Sequence, residues 1–315
     1  MSTLGILAQM LEIIAAVLAA PLLLGWVNQC RAWLQNRRGP GLLQPWRGIR
    51  KLFHKDAVLA ENASTLFRAA PYVVFGTMVL AAAIIPSMAM RLPLSIAADS
   101  IALVGLLATA RVFLALAAMD VGTAFGTLGA RREMMIGFLA EPALLMVIFL
   151  AAMISHTTSL AGIAESLTGQ ELALYPSAAF TAVAFLLVLL AENARIPVDN
   201  PATHLELTMV HEAMLLEYSG RYLAFMEWGA SIKQLVLMTL LLNVFVPVGL
   251  AGPQASAAGL GLSLLAYLAK LLALSAAVVV VETTNAKLRL FRVPDLLSAA
   301  FVLATLALLS TFLFH

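Results

Sequence analysis

Eight long apolar runs limit what this chain can fold into. An α-helix needs about 20 mostly apolar residues to cross the hydrocarbon core of a bilayer. The runs cover, approximately, residues 4–27, 70–90, 99–119, 134–155, 177–194, 231–250, 259–282 and 296–314. Only 11% of the residues are charged, against roughly 25% in soluble domains. We therefore predict an all-α integral membrane protein with about eight transmembrane helices, forming a single polytopic domain over residues 1–315, and soluble enzyme folds are excluded.

The basic residues predict the orientation of these helices. Nearly all of the 19 Lys and Arg residues fall in alternate connections between the runs, whereas the intervening connections contain only Arg91. Because cytoplasmic loops carry the excess of Lys and Arg in membrane proteins, we predict an N-out/C-out topology.

The first predicted cytoplasmic loop, residues 28–69, contains an amphipathic segment. Leu42, Trp46, Ile49 and Phe53 recur at helical spacing, and basic residues occupy the other positions around the turn. This pattern predicts an amphipathic helix that lies either beneath a docked partner or on lipid headgroups.

Ionisable residues also occur inside the apolar runs and at their ends. Each costs about 2.5–3.5 kcal/mol to insert into a membrane, so those that are kept are usually paired or functional. The candidates are Glu12, Arg111, Glu141, Glu192, Lys270 and Glu282. Alternatively, Glu192 and Glu282 lie at the membrane interface, and Lys270 extends to it or forms a salt bridge.

The densest group of ionisable residues lies between 191 and 220. Pro197 and Pro201 should end the fifth span, after which a helix can resume over residues 203–218. The group contains Glu192, Arg195, Asp199, His204, Glu206, His211, Glu212 and Glu217. On a continuous helix, Glu206 and Glu217 would share a face. Carboxylates and imidazoles in a row favour a proton path; a metal site and a solvated acidic loop are the alternatives.

A second carboxylate group lies between residues 118 and 142. Asp120 precedes three glycines that predict a flexible loop, and Glu133 and Glu141 flank the start of the next span. The chain has no Walker A or dinucleotide-binding glycine motif. Its single cysteine, Cys30, cannot supply an iron–sulfur or zinc site of the usual multi-cysteine kind. We therefore expect no cofactor to be bound by this chain.

Three motifs carry a family resemblance that extends over nearly the whole chain. They are NRRGPGLLQPWRGIRKLF (36–53), ARVFLALAAMDVGTAFGTLGARREMMIGFLAEP (110–142), and AENARIPVD with LEYSG (191–199 and 216–220). In this combination they resemble the subunit 1 family of respiratory complex I. The short first loop, in which RRGPG leads directly to LLQP, resembles its hydrogenase branch, the membrane subunits of formate hydrogenlyase and hydrogenase-4 (group 4 nickel–iron hydrogenases).

The resemblance implies a membrane anchor and ion-path subunit in the cytoplasmic (inner) membrane of a bacterium or archaeon. It implies hydrogenase-like large and small partner subunits that hold iron–sulfur clusters and a nickel–iron centre, with antiporter-like membrane subunits alongside. The implied docking residues are Arg37, Arg38, Arg47, Arg50, Lys51, Arg195 and Tyr218. The implied proton path comprises Asp120, Glu133, Glu141, Glu192, Asp199, Glu206 and Glu217, to which the acidic segment adds His204 and His211.

One segment departs from the family pattern and leaves alternatives open. After Asp199 the chain has NPATHLE, where relatives usually carry a run such as EAEQE, and three extra residues precede LEYSG. The second hypothesis is therefore the corresponding subunit of a quinone-reducing complex I, with a quinone near the first and third cytoplasmic loops. A third is an independent secondary transporter that uses Glu141 and Lys270.

Overall fold

The computed structural model describes residues 3–87, 99–168, 176–199, 209–249 and 257–314, and every regular element in these ranges is a helix. Seven helices are long and apolar enough to cross a membrane. They are α1 (Thr3–Leu34), α3 (Thr65–Ile84), α4 (Ser100–Asp120), α5 (Ala124–Ser155), α9 (Gly220–Phe245), α10 (Ala257–Thr284) and α11 (Val293–Phe314). The predicted all-α membrane fold is confirmed.

The shorter helices complete the bundle and its connections. They are α2 (Gln44–Phe53), α6 (Leu160–Thr168), α7 (Pro176–Glu192) and α8 (His211–Leu215). The fifth predicted run corresponds to α7, which is apolar but has only 17 residues. Each of the eight predicted runs therefore overlaps a helix.

Helix α5 begins earlier than the apolar pattern predicts, at Ala124 instead of residue 134. Thr123 caps it by accepting a hydrogen bond from the backbone N–H of Gly126. The prediction of a flexible glycine-rich loop after Asp120 is therefore wrong for most of that segment. Hydropathy marks only the apolar part of a helix, whereas backbone hydrogen bonds continue through polar residues such as Arg131 and Glu133.

The continuous helix predicted over residues 203–218 is also wrong within its described part. Met209 and Val210 are not helical, and α8 spans only His211–Leu215. Ser219 is extended and Gly220 has a φ of +53°, a conformation that favours glycine, so the chain turns sharply before α9. Glu217 lies in a turn after α8, and His204 and Glu206 lie outside the described residues.

The amphipathic helix predicted in the first loop is confirmed as α2. Its apolar side packs on α9, where the rings of Trp46 and Trp228 lie 5.1 Å apart edge to face, and Ile49 is buried. The basic side chains Arg47, Arg50 and Lys51 are exposed, as are Arg37 and Arg38 before the helix.

Two prolines inside α1 and α3 create attachment points for the start of α9. A proline lacks the N–H that would bond the carbonyl four residues earlier, which frees Val17 O before Pro21 and Phe67 O before Pro71. Trp228 Nε1 donates to Val17 O at 2.9 Å. The hydroxyl of Tyr218 donates to Phe67 O at 3.0 Å.

These bonds fix the position of the segment from residue 218 to residue 228. Burial raises the pKa of Tyr218, so its hydroxyl remains a neutral donor. Ser219 exchanges two hydrogen bonds with the backbone of Val58 in the preceding loop. The LEYSG motif is therefore a structural joint that orients the first half of α9 towards the site described next.

Candidate functional site

The centre of the site is a buried guanidinium near the middle of α4. Arg111 Nε lies 3.2 Å from Glu133 Oε1, and its two terminal nitrogens donate to Glu141 and Glu192. Helix α5 contributes Glu133 and Glu141, and the last residue of α7 is Glu192. Gly137 makes room for the guanidinium, because a Cβ at this position would lie 2.6 Å from Arg111 Nη1.

This arrangement allows charges to be kept inside apolar helices. Arg111, Glu133 and Glu192 are only 5–6% exposed, and an isolated buried charge would be strongly destabilising. The five N–H donors of a guanidinium can bind several carboxylates at once. The sequence shows no basic residue close to Glu141, but in the structure Arg111 of α4 binds it.

Lys233 on α9 completes the network, and the sequence gives little sign of this role. Its Nζ lies 2.8 Å from Glu192 Oε2. Lys233 stands at the polar edge of the sixth apolar run, a position that is typical of a basic cytoplasmic loop. The structure shows that α9 begins at Gly220, well before that run, so Lys233 lies inside a helix that packs on the site.

A second ionic group joins α1, α10 and the segment after α7. Glu282 is buried near the end of α10 and binds Arg31; Arg195 Nη1 lies 3.5 Å from its Oε1. Arg195 Nη2 also donates to Gln234 Oε1 at 2.7 Å. Burial lowers the pKa of Arg195 from its usual value, and the charge of Glu282 opposes that effect.

Asp199 links the segment after α7 to the connection between α10 and α11. Lys287 Nζ lies 2.7 Å from one of its oxygens, and the backbone N–H of His211 donates to the other at 3.3 Å. The cis peptide before Pro197 lies in the same segment, and Leu288 N donates to Pro197 O.

A polar cavity of about 380 Å³ opens between these groups. Its lining includes Glu192, Arg195, Asp199, His211, Glu212, Glu227 and Lys233. The amide Nε2 of Gln234, which also lines it, is buried and has no hydrogen-bond partner among the described residues. A roomy cavity with such polar walls is suited to holding water.

A smaller cavity of about 40 Å³ adjoins Arg111 and Glu133. Both cavities are lined by His211 and Lys233. Three of the residues predicted for the proton path, Glu192, Asp199 and His211, therefore line the large cavity, and Glu133 lines the smaller one.

Other predicted path residues are placed elsewhere. Asp120 Oδ2 accepts from the backbone N–H of Ser64, the residue before α3, at 2.8 Å, so its carboxylate holds the start of that helix. Glu217 is half-buried and lines neither cavity.

Two residues predicted for the docking surface are inside the chain. Arg195 is 6% exposed and Tyr218 is 4% exposed. Arg195 bonds to Glu282 and Gln234, whereas Tyr218 stacks on Phe67 at 4.1 Å. Their docking role stays a prediction, and neither side chain belongs to the exposed basic surface of the first loop.

Among the described residues, Lys270 binds two backbone carbonyls. Its Nζ donates to Val246 O at 2.9 Å and to Val248 O at 2.6 Å, at the C-terminal end of α9. Lysine is favoured at helix C-termini, where unpaired carbonyls carry partial negative charge. Lys270 therefore caps a neighbouring helix.

In the described ranges no group of three or more His, Cys, Asp or Glu residues is placed to hold a metal ion. The metal alternative also involved His204, which lies outside these ranges.

Comparisons with known proteins identify the family. The chain matches the NADH dehydrogenase family over residues 7–313. It is 34% identical over 306 residues to formate hydrogenlyase subunit 4 of Escherichia coli (strain K12), which covers 97% of this chain and 98% of that protein. It is 33% identical over 297 residues to hydrogenase-4 component C of the same organism, covering 94% and 92%.

A solved structure has the same fold. A chain of the membrane-bound sulfane sulfur reductase, an archaeal respiratory membrane complex, superposes with a TM-score of 0.79 at 19% identity, over 96% of this chain and 99% of that one. With the family match and the apolar helices, this likeness agrees with a multi-pass membrane protein. The chain belongs to the NADH dehydrogenase family, that of subunit 1 of complex I.

Proposed function

We propose that this chain is the membrane anchor and proton- or ion-path subunit of an energy-converting hydrogenase complex. The two similar Escherichia coli proteins are named as subunits of formate hydrogenlyase and hydrogenase-4. The observation that carries the proposal is the Arg111 network, which brings carboxylates from two helices together inside the bundle beside a polar cavity.

Protons would enter the cavity from the predicted cytoplasmic side and pass along the network. Glu192 lines the cavity and shares Arg111 with Glu133 and Glu141, so a proton that reaches Glu192 has two further acceptors around the same guanidinium. Arg111 remains charged at all accessible pH values, and its role is to hold the carboxylates together.

Glu141 marks where the path leaves the chain. Its side chain is 30% exposed, and the neighbouring Phe138 is 79% exposed on the same surface of α5. A carboxylate that faced lipid would be costly, so we expect an antiporter-like membrane subunit to cover this surface and receive the proton.

The exposed basic residues of the first loop form the docking surface for the peripheral arm. They are Arg37, Arg38, Arg47, Arg50 and Lys51. The rings of Trp46 and Trp228 and the bond from Trp46 Nε1 to Leu18 O hold α2 against α1 and α9. In this proposal the iron–sulfur clusters and the nickel–iron centre belong to the large and small subunits of that arm, which transfers electrons at a cytoplasmic (inner) membrane.

Replacing Glu192 in the intact complex tests the proton path. Glu192→Gln keeps the size of the side chain but removes the proton-carrying carboxylate. We expect the complex to assemble and transfer electrons in proteoliposomes, while acidification of the lumen per electron pair, followed with a pH-sensitive dye, is lost.

The matched control is Glu165→Gln, which changes an exposed glutamate on α6, at the other end of α5. It should leave the proton-to-electron ratio unchanged. Normal proton movement in an assembled Glu192→Gln complex would refute the proposed path.

The cavity also bears on the quinone alternative. Its volume is within the range of small-molecule sites, but such sites carry only a few polar groups, whereas four carboxylates, two arginines and a lysine line this one. We therefore expect quinone-site inhibitors to leave electron transfer by the complex unchanged; inhibition would favour the complex I alternative.

A further inference from the structure

Lys233 stands between the large cavity and the Arg111 network. Its Nζ lies 2.8 Å from Glu192 Oε2, and the same carboxylate receives a hydrogen bond from Arg111 through its other oxygen. Lys233 lines both cavities. Glu192 and Lys233 both line the large cavity, so cavity water can reach the ammonium group right beside the carboxylate.

The two cations that contact Glu192 have different chemistry. A guanidinium is not deprotonated in proteins, whereas a partly buried lysine can release a proton and serve as a base. The Lys233 side chain is 18% exposed. Among the described residues that contact Glu192, Lys233 is thus the one base that can exchange a proton.

The charges of the network are unbalanced in favour of binding a proton. Two cations, Arg111 and Lys233, face three carboxylates, which leaves one negative charge in excess when all the groups are ionised. This excess negative charge attracts a proton that arrives at the carboxylates.

We infer that Lys233 transfers protons from the cavity to Glu192, an inference that rests on the proposed proton path. The N–H bond of the ammonium breaks, its electron pair stays on nitrogen, and an O–H bond forms on Glu192 Oε2. The neutral amine then takes a proton from cavity water, which is replenished from the aqueous phase. Glu192 passes its proton to Glu133 or Glu141 and becomes a carboxylate again, so one proton has moved and nothing is oxidised or reduced.

The ion pair alone would give Lys233 a purely structural role, and Lys233→Arg separates the two roles. Arginine keeps the positive charge and the contact with Glu192 but cannot release a proton. In proteoliposomes of the intact complex we expect electron transfer to continue while the proton-to-electron ratio falls to that measured with a protonophore. The matched control is Lys270→Arg, which keeps donors for Val246 O and Val248 O and should retain the wild-type ratio.

If the Lys233→Arg complex does not assemble, a second variant provides the test. Lys233→Gln retains an N–H donor for Glu192 but has no ammonium proton to release. We expect its proton-to-electron ratio to fall as in Lys233→Arg. A wild-type ratio in either assembled variant overturns the role of Lys233. If Glu192→Gln loses proton movement while Lys233→Arg retains it, only the lysine step fails; if both retain it, the proposed path fails as well.

Discussion

Arg111 and Lys270 are two basic residues placed inside apolar helices, and their surroundings differ in kind. Three carboxylates from two neighbouring helices surround Arg111. Lys270 instead donates to two backbone carbonyls at the end of α9. Carboxylates can gain and lose protons, whereas peptide carbonyls cannot.

The difference between Arg111 and Lys270 shows that a charged residue inside an apolar helix does not by itself indicate function. The groups that it contacts must be known as well. Lys270 is explained by the carbonyls that a helix leaves unpaired at its C-terminus. The carboxylates around Arg111 satisfy no backbone requirement, so their retention has to be explained by what they do. These contacts explain the position of Lys270 without a role in transport.

The largest effect should come from removing the guanidinium. Arg111→Met leaves Glu133, Glu141 and Glu192 without their shared cation, and breaking a buried ion pair costs about 3–5 kcal/mol. We expect a marked fall in the melting temperature of the complex in detergent and a lower yield of assembled complex. A fall no larger than that of Lys270→Met would contradict the distinction between the two regions.

A change beside the network should have an intermediate effect. In Gly137→Ala the new Cβ would lie 2.6 Å from Arg111 Nη1, and such overpacking costs about 1–3 kcal/mol. We expect lower thermal stability and a reduced proton-to-electron ratio, because the guanidinium must move relative to its carboxylates.

Gly105→Ala on α4 is the matched control for Gly137→Ala. No atom lies within 4 Å of a Cβ at this position, and alanine favours a helix over glycine by about 1 kcal/mol. Its melting temperature should equal or exceed that of the wild type. Equal effects of the two substitutions would show that the space next to Arg111 is not restricted.

The smallest effect should come from Lys270→Met. It removes two hydrogen bonds from a charged donor, but the freed carbonyls lie near the end of α9, and we expect a loss of about 1 kcal/mol. The proton-to-electron ratio of the variant, measured on the same preparation as its stability, should remain at the wild-type value. A loss of proton movement would place Lys270 in the ion path and revive the transporter alternative.

Apolar run length was sufficient to predict the helices, because spanning a bilayer requires a long apolar segment whatever its neighbours are. It was insufficient for the helix ends, as the polar first part of α5 shows. In the described residues from 209 onwards, the helix is limited to the short α8, where the backbone N–H of His211 bonds to Asp199 and Gly220 turns the chain. Hydrogen bonds of this kind leave no periodic pattern in the sequence.

The ion pairs of the site could not be read from the sequence, because they join distant positions. Arg111 and Glu192 are 81 residues apart in the chain, and Arg111 and Glu141 are 30 apart. Each residue was recognised as a candidate by its depth in the membrane, but their association depends on packing between α4, α5 and α7. Motif membership did not indicate that Arg195 and Tyr218 are buried, since a family motif includes buried contacts as well as surface residues.

The central claim is that protons reside on the carboxylates around Arg111 during turnover. Infrared difference spectra of the working complex, recorded in the stretching region of protonated carboxyl groups, test it most directly. We predict a turnover-dependent carboxyl band that shifts in heavy water and disappears in Glu192→Gln, but persists in Glu165→Gln. An unchanged band in an assembled Glu192→Gln complex, or no band in the wild type during turnover, would contradict the account.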